Sequence, residues 1–159
     1  MEDTCTYVSS RGILKSCSSY QHIIRSSNPH IHENILHNIK RGDTVYICTT
    51  AISMFVHNFL PHLQTHIVLV SGDADESIPS VHVSSCHAIL ASPYILRWFA
   101  QNCLASHPKL FHLPIGLDYH TMSVSDSSWG MKKSPIEQEH NIQMIANSAA
   151  PFDKRLLKC

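Results

Sequence analysis

The sequence predicts an α/β fold, a three-layer sandwich around a mostly parallel sheet. Three observations carry this expectation. Two short runs, DTVYICTT at 43–50 and HIVLVS at 66–71, are nearly continuous in apolar and β-branched character, as strands covered on both faces should be. Between them AISMFVHNFLPHL sets Ile52, Phe55, Val56, Phe59 and Leu60 on one face of a helix. A strand, a helix and a second strand within about 30 residues make a βαβ unit, whose short connections imply parallel strands and a right-handed crossover. Continued alternation along the chain makes a single Rossmann-like lobe the natural arrangement.

Taken in order, residues 1–27 are Ser-biased and polar, with one apolar patch at Tyr20 to Ile24, and read as a loosely structured lead-in. The Rossmann-like domain is expected to occupy 28–159. It opens with a helix: Asn28 can cap, Pro29 suits a first helical position, Ile31, Ile35, Leu36 and Ile39 recur at helical spacing, and Lys40-Arg41-Gly42 closes it. After the βαβ unit, SSCHAILASPYILRWFAQN reads as a helix ending near Pro93 and a third strand around Arg97 to Gln101. KLFHLPIG reads as a fourth strand stopped at Pro114-Ile115-Gly116. Ser134-Pro135-Ile136-Glu137 has the pattern of a capping box with proline at the first position, and Ile142, Ile145 and Ala146 continue an apolar face.

The bulk properties narrow the function classes. A chain of 159 residues can bury one core, and its twelve basic residues balance twelve acidic ones. No net field therefore favours nucleic acid or an anionic membrane, and binding must come from a local site. No window approaches the roughly 18 uninterrupted apolar residues of a membrane span. The polar, acidic start MEDTCTYVSSRG is unlike a secretory signal, so a soluble, cytoplasmic protein is expected. The six cysteines form no CxxC pair and read as small core residues of a reducing compartment. The thirteen histidines give only isolated short spacings, His30-x-His32, His62 with His66, and His82 with Cys86-His87, none with the second pair that a zinc site needs.

In a parallel sheet, ligands sit outside the carboxyl ends of the strands. Thr49-Thr50, Gly72 to Glu76, Asn102 and Gly116 to His120 are expected at that edge. There VSGDADESIP presents Asp73 and Asp75 one residue apart. Two carboxylates with phosphate oxygens can complete a Mg²⁺ or Mn²⁺ shell, but aspartates beside glycine also shape turns through local hydrogen bonds. Glycine-rich nucleotide motifs and a Gly-x-Ser-x-Gly elbow are absent from the sequence, which gives hydrolase readings little support. Residues 97–121 combine Trp98 and Phe99 with Asn102, Asp118 and His120. An aromatic face beside planar polar groups suits a sugar, whose C–H faces and hydroxyls come together. The alternative is that Trp98 and Phe99 are core and Asp118 a turn residue.

VLVSGDADESIP, WFAQN, HPKLFHLPIGLDYHT and SPIEQE, with LPIGLDYHT the most specific piece, resemble the N-terminal part of exostosin-like glycosyltransferases of large DNA viruses and algae. The resemblance implies a two-lobed, GT-B-type transferase in which this Rossmann-like lobe faces a saccharide acceptor. The donor nucleotide-sugar would be held by a second lobe, whose Gly-rich, Glu-containing motif does not occur in this sequence. Under that reading Asp73, Asp75, Asn102 and Trp98 bind the acceptor, and Asp118 or His120 is the general base. Two other readings stand beside it. One is a non-catalytic α/β module that binds a partner, or a second copy, through an exposed apolar face. The other is a metal-dependent GT-A-type transferase using Asp73 and Asp75.

Overall fold

The computed structural model describes residues 2–21, 26–124 and 128–155. Its centre is a four-stranded sheet, wholly parallel and in the order of the chain: β1 (Thr44–Cys48), β2 (Ile67–Gly72), β3 (Ile95–Ala100) and β4 (Leu110–His112). The expected α/β, Rossmann-like sandwich is thus the observed architecture. Thr44 lies opposite Val68, Leu69 opposite Trp98 and Trp98 opposite Leu110, so the four carboxyl ends share one edge.

The period of two along each strand divides the core. Val45, Ile47, Ile67 and Leu69 point to one face, where they meet Ile52 and Phe55 of α2 (Ile52–Asn58) and Cys86 and Ile89 of α3 (Val83–Ala91). Both crossover helices lie on this face, as crossovers of one hand between strands in consecutive order require. Tyr46, Cys48 and Val70 point to the other face and pack with Leu14 and Cys17. Further along that second face Phe99 stacks on Phe111 with ring centroids 5.3 Å apart, and Arg97 lies over the Phe111 ring.

Leu14 and Cys17 mark a departure from the expected loose lead-in. Ser9 caps α1 (Ser10–Ser16), accepting from Gly12 N at 3.0 Å, and buries Leu14 against the sheet. Three residues beyond the helix, Ser19 pairs with the free edge of β1, donating its N–H to Thr44 O and accepting from Tyr46 N. The apolar patch at Tyr20 to Ile24 falls largely outside the described residues.

The helix expected over 28–42 is a second departure. Only the 3-10 turn Glu33–Leu36 forms there, although Ile35 is buried and Ile31, Leu36 and Ile39 still pack on the core. The backbone found partners outside a helix. Asn28 Oδ1 accepts from His30 N, the Gln21 amide serves His30 O and His32 N, and Asn38 takes a left-handed φ of 59°.

Beyond the sheet come α4 (His120–Val124) and α5 (Pro135–Ser148). The capping box is formed in full: Ser134 N donates to Glu137 Oε2 at 2.7 Å and Glu137 N to Ser134 Oγ at 3.3 Å. The inward face of α5 is not the apolar one expected. Gln138 and Glu139 are buried, while Ile142, Met144 and Ile145 are exposed. Glu139 accepts from Thr6 N, Tyr7 N and Tyr119 Oη, and Gln138 donates to Tyr119 O and Lys133 O. Polar anchors therefore hold α5, where hydrophobic spacing had suggested apolar packing.

Candidate functional site

Three strands deliver their carboxyl ends to one polar cleft. β2 runs into Gly72-Asp73, β3 into Gln101, and β4 through Leu113-Pro114-Ile115 into the turn that carries Asp118 and His120. Gly72 is required where it stands. A Cβ there would collide with the Gln101 side chain and sit 2.9 Å from Tyr46 Oη. Gly116 has φ +76, and a Cβ on it would meet Val8 O at 2.8 Å, where Leu117 N donates to Val8 O and the chain bridges to Ser9.

The cleft encloses ≈ 200 Å³ and is lined by residues including Ser10, Ser26, Asp73, Asp75, Asp118 and His120. Larger hollows lie beside α1 (≈ 390 Å³) and α2 (≈ 580 Å³). Volume favours those hollows. Chemistry favours the smaller cleft, because among the described residues its walls alone hold a carboxylate and an imidazole in direct contact.

Asp73 is the hub of the cleft floor. It adopts a left-handed φ of 61°, and its N–H donates to Gln101 Oε1 at 2.9 Å. Its carbonyl accepts from Ser27 N at 2.8 Å, its Oδ1 from Ser26 Oγ at 3.2 Å, and its Oδ2 faces Arg11 Nη2 at 3.4 Å. Arg11 and Asp73 are both buried, so the pair is shielded from water. Burial pushes the Asp73 carboxyl above the ordinary aspartate value, against the opposing pull of Arg11, His120 and Ser26.

At the rim, Asp118 Oδ1 lies 2.8 Å from His120 Nδ1. Thr121 braces the carboxylate, its N–H donating to Oδ1 at 3.0 Å and its hydroxyl to Oδ2 at 2.6 Å. Burial raises the Asp118 carboxyl, but the Thr121 hydrogen bonds and His120 outweigh it and hold the group below its ordinary value. The other ring nitrogen, His120 Nε2, lies 3.2 Å from Ser26 Oγ, and Nδ1 is also 3.4 Å from Ser10 Oγ. With Nδ1–H donated to Asp118, Nε2 carries the lone pair and faces the cleft as a base.

Four of the six residues expected at the site meet here: Asp73, Asp75, Asp118 and His120. Trp98 does not. It is completely buried, its indole N–H donating to Ser71 Oγ at 2.9 Å beneath the sheet, so it is core and does not touch an acceptor. Asn102 stands behind the cleft, with φ 51°, its amide donating to Ala74 O at 3.1 Å and bracing the Asp73–Asp75 loop. The two aspartates part company, Asp73 turning in to Arg11 while Asp75 is exposed. Among the described residues no group of three or more His, Cys, Asp or Glu is placed to hold a metal ion.

Sequence reasoning missed Arg11, Ser26 and Gln101. Arg11 and Ser26 lie in the Ser-biased start of the chain, far from the sheet in sequence. Gln101 follows Ala100 as an ordinary polar residue, and only its burial and its bond to Asp73 N reveal its role. No helix among the described residues is long and apolar enough to cross a membrane. Comparison with protein-family models, with curated proteins and with solved structures finds no match for this chain.

Proposed function

We propose that the cleft binds a hydroxyl-bearing acceptor, and that the chain acts as the acceptor-side part of an exostosin-like glycosyltransferase. The observation that carries this reading is the Asp118–His120 pair, 2.8 Å apart, at the rim of a polar cleft. An acceptor hydroxyl seated against His120 Nε2 loses its proton to that nitrogen as its oxygen bonds to the donor's anomeric carbon. The bond from that carbon to the leaving phosphate breaks in the same step, and the nucleotide departs. Asp118 keeps the imidazole in the required tautomer and stabilises the imidazolium. Serine hydroxyls and carboxylates are groups that polyols use as partners.

The test is NMR titration of the chain, and of His120→Gln, with a panel of saccharides. Shifts should move at Asp73, Asp75, Asp118 and His120 for at least one acceptor, and the response should weaken in His120→Gln. Unchanged shifts across the panel would end this reading.

A second reading, a non-catalytic module that docks a partner or a second copy, is favoured by the exposed Trp129, Met131, Met144, Ile145 and Phe152. Sedimentation showing a monomer at high concentration would count against self-association through that surface. The metal-dependent reading has less to support it, since Asp73 is already engaged with Arg11 and Ser26.

A further inference from the structure

The geometry points to Ser26 as a nucleophile, and to a second activity of the cleft: hydrolysis of small acyl esters through a covalent intermediate on Ser26 Oγ. Ser26, His120 and Asp118 stand in the order of a nucleophile, its base and the group that orients the base. Oγ lies 3.2 Å from His120 Nε2, and His120 Nδ1 lies 2.8 Å from Asp118 Oδ1. This arrangement recurs on unrelated folds and is recognised by geometry, whatever the positions of its members along the chain. The lack of a Gly-x-Ser-x-Gly elbow therefore does not weigh against it.

Three further features suit the role. Ser26 is exposed and lines the cleft, so a substrate can reach it. Its placement is fixed through its neighbour Ser27, whose N–H donates to Asp73 O at 2.8 Å and whose φ is left-handed at 57°. The orienting carboxylate is itself fixed by both Thr121 bonds. Asp73 is a rival acceptor for the hydroxyl proton, also at 3.2 Å. As the proton leaves, His120 is the better destination, because the imidazolium finds Asp118 on its far side while Asp73 stays paired with Arg11.

The step balances without oxidant or cofactor. Ser26 Oγ bonds to the ester carbonyl carbon and its proton passes to Nε2. The carbon–alkoxy bond then breaks, and the departing oxygen takes that proton. Water attacks the acyl carbon and gives a proton to Nε2, the carbon–Oγ bond breaks, and Ser26 recovers its proton. A cleft of ≈ 200 Å³ with Asp73, Asp75 and Asp118 in its wall favours a short, uncharged acyl group over an anionic one.

The test treats the full chain with a fluorophosphonate probe and locates the adduct by peptide mass spectrometry. A single adduct is expected on Ser26, none in Ser26→Ala, and labelling slower by about 100-fold or more in His120→Gln. An unlabelled Ser26 in protein that unfolds cooperatively, or labelling equally fast in His120→Gln, would overturn the proposal. Because the probe contains no sugar, a chain that binds saccharides yet leaves Ser26 unlabelled loses this activity alone.

Discussion

At the scale of the residue, Gly72 and Asp73 show how one dipeptide sets the cleft floor. Gly72 lets the Gln101 side chain cross close to the strand end, and Gln101 Oε1 then accepts from Asp73 N. Gly72→Ala should therefore destabilise the fold by about 1–3 kcal/mol, the range for forcing extra bulk into a packed interior. Thermal unfolding would measure it, and an unchanged midpoint would show that Gln101 has room to withdraw. The acidic loop was legible in the sequence as a feature of the sheet edge, but its meaning was not. Asp73 looked like half of a metal pair because its partner, Arg11, is 62 residues distant in the chain and carries no local signal. Trp98 misled for a related reason, since an aromatic near a strand end reads alike whether it faces a ligand or the core.

At the scale of the element, α5 ties its docking to pH. Its cap residue Glu137 and its anchor Glu139 both lie below the ordinary glutamate value of 4.5. For Glu137 the cause is the side-chain and backbone hydrogen bonding with Ser134. For Glu139 burial pulls the other way, and the hydrogen bonds from Thr6 and Tyr7 outweigh it. A carboxyl whose pKa is lowered by folding adds stability above its unfolded value and loses it as pH falls through the folded one. Amides of α5 should therefore lose protection, measured against the intrinsic exchange rate at each pH, as the pH drops below 4.5, ahead of those in β2. Equal loss of protection in both would mean that α5 opens only with the whole fold. The start of α5 was fully readable, because a capping box is a local device. Its inward face was not, because burial of Gln138 and Glu139 depends on Thr6, Tyr7 and Tyr119, which spacing along the helix cannot reveal. The same contrast separates the strands, whose continuous apolar runs announced them, from residues 28–42, where the Asn28 and Gln21 side-chain amides hold backbone groups in place of a helix.

At the scale of the whole molecule, the sheet is covered by α2 and α3 on one face and, over β1 and β2, by α1 on the other. The first layer was evident from the βαβ pattern. The second was not, since Leu14 and Cys17 are a thin apolar signal among serines. Removing residues 1–16 should expose Tyr46 and Val70 together, giving strong binding of a hydrophobic dye and a broad unfolding transition. A sharp transition would show that the sheet holds without α1. One consequence reaches beyond stability. Arg11 rides on α1 and ends on Asp73, so the segment that closes the second face also supplies a cation to the cleft floor. Docking of α1 and completion of the cleft floor are then one event, and a partly folded chain with a sound sheet but an undocked N-terminal arm would lack the Arg11–Asp73 pair.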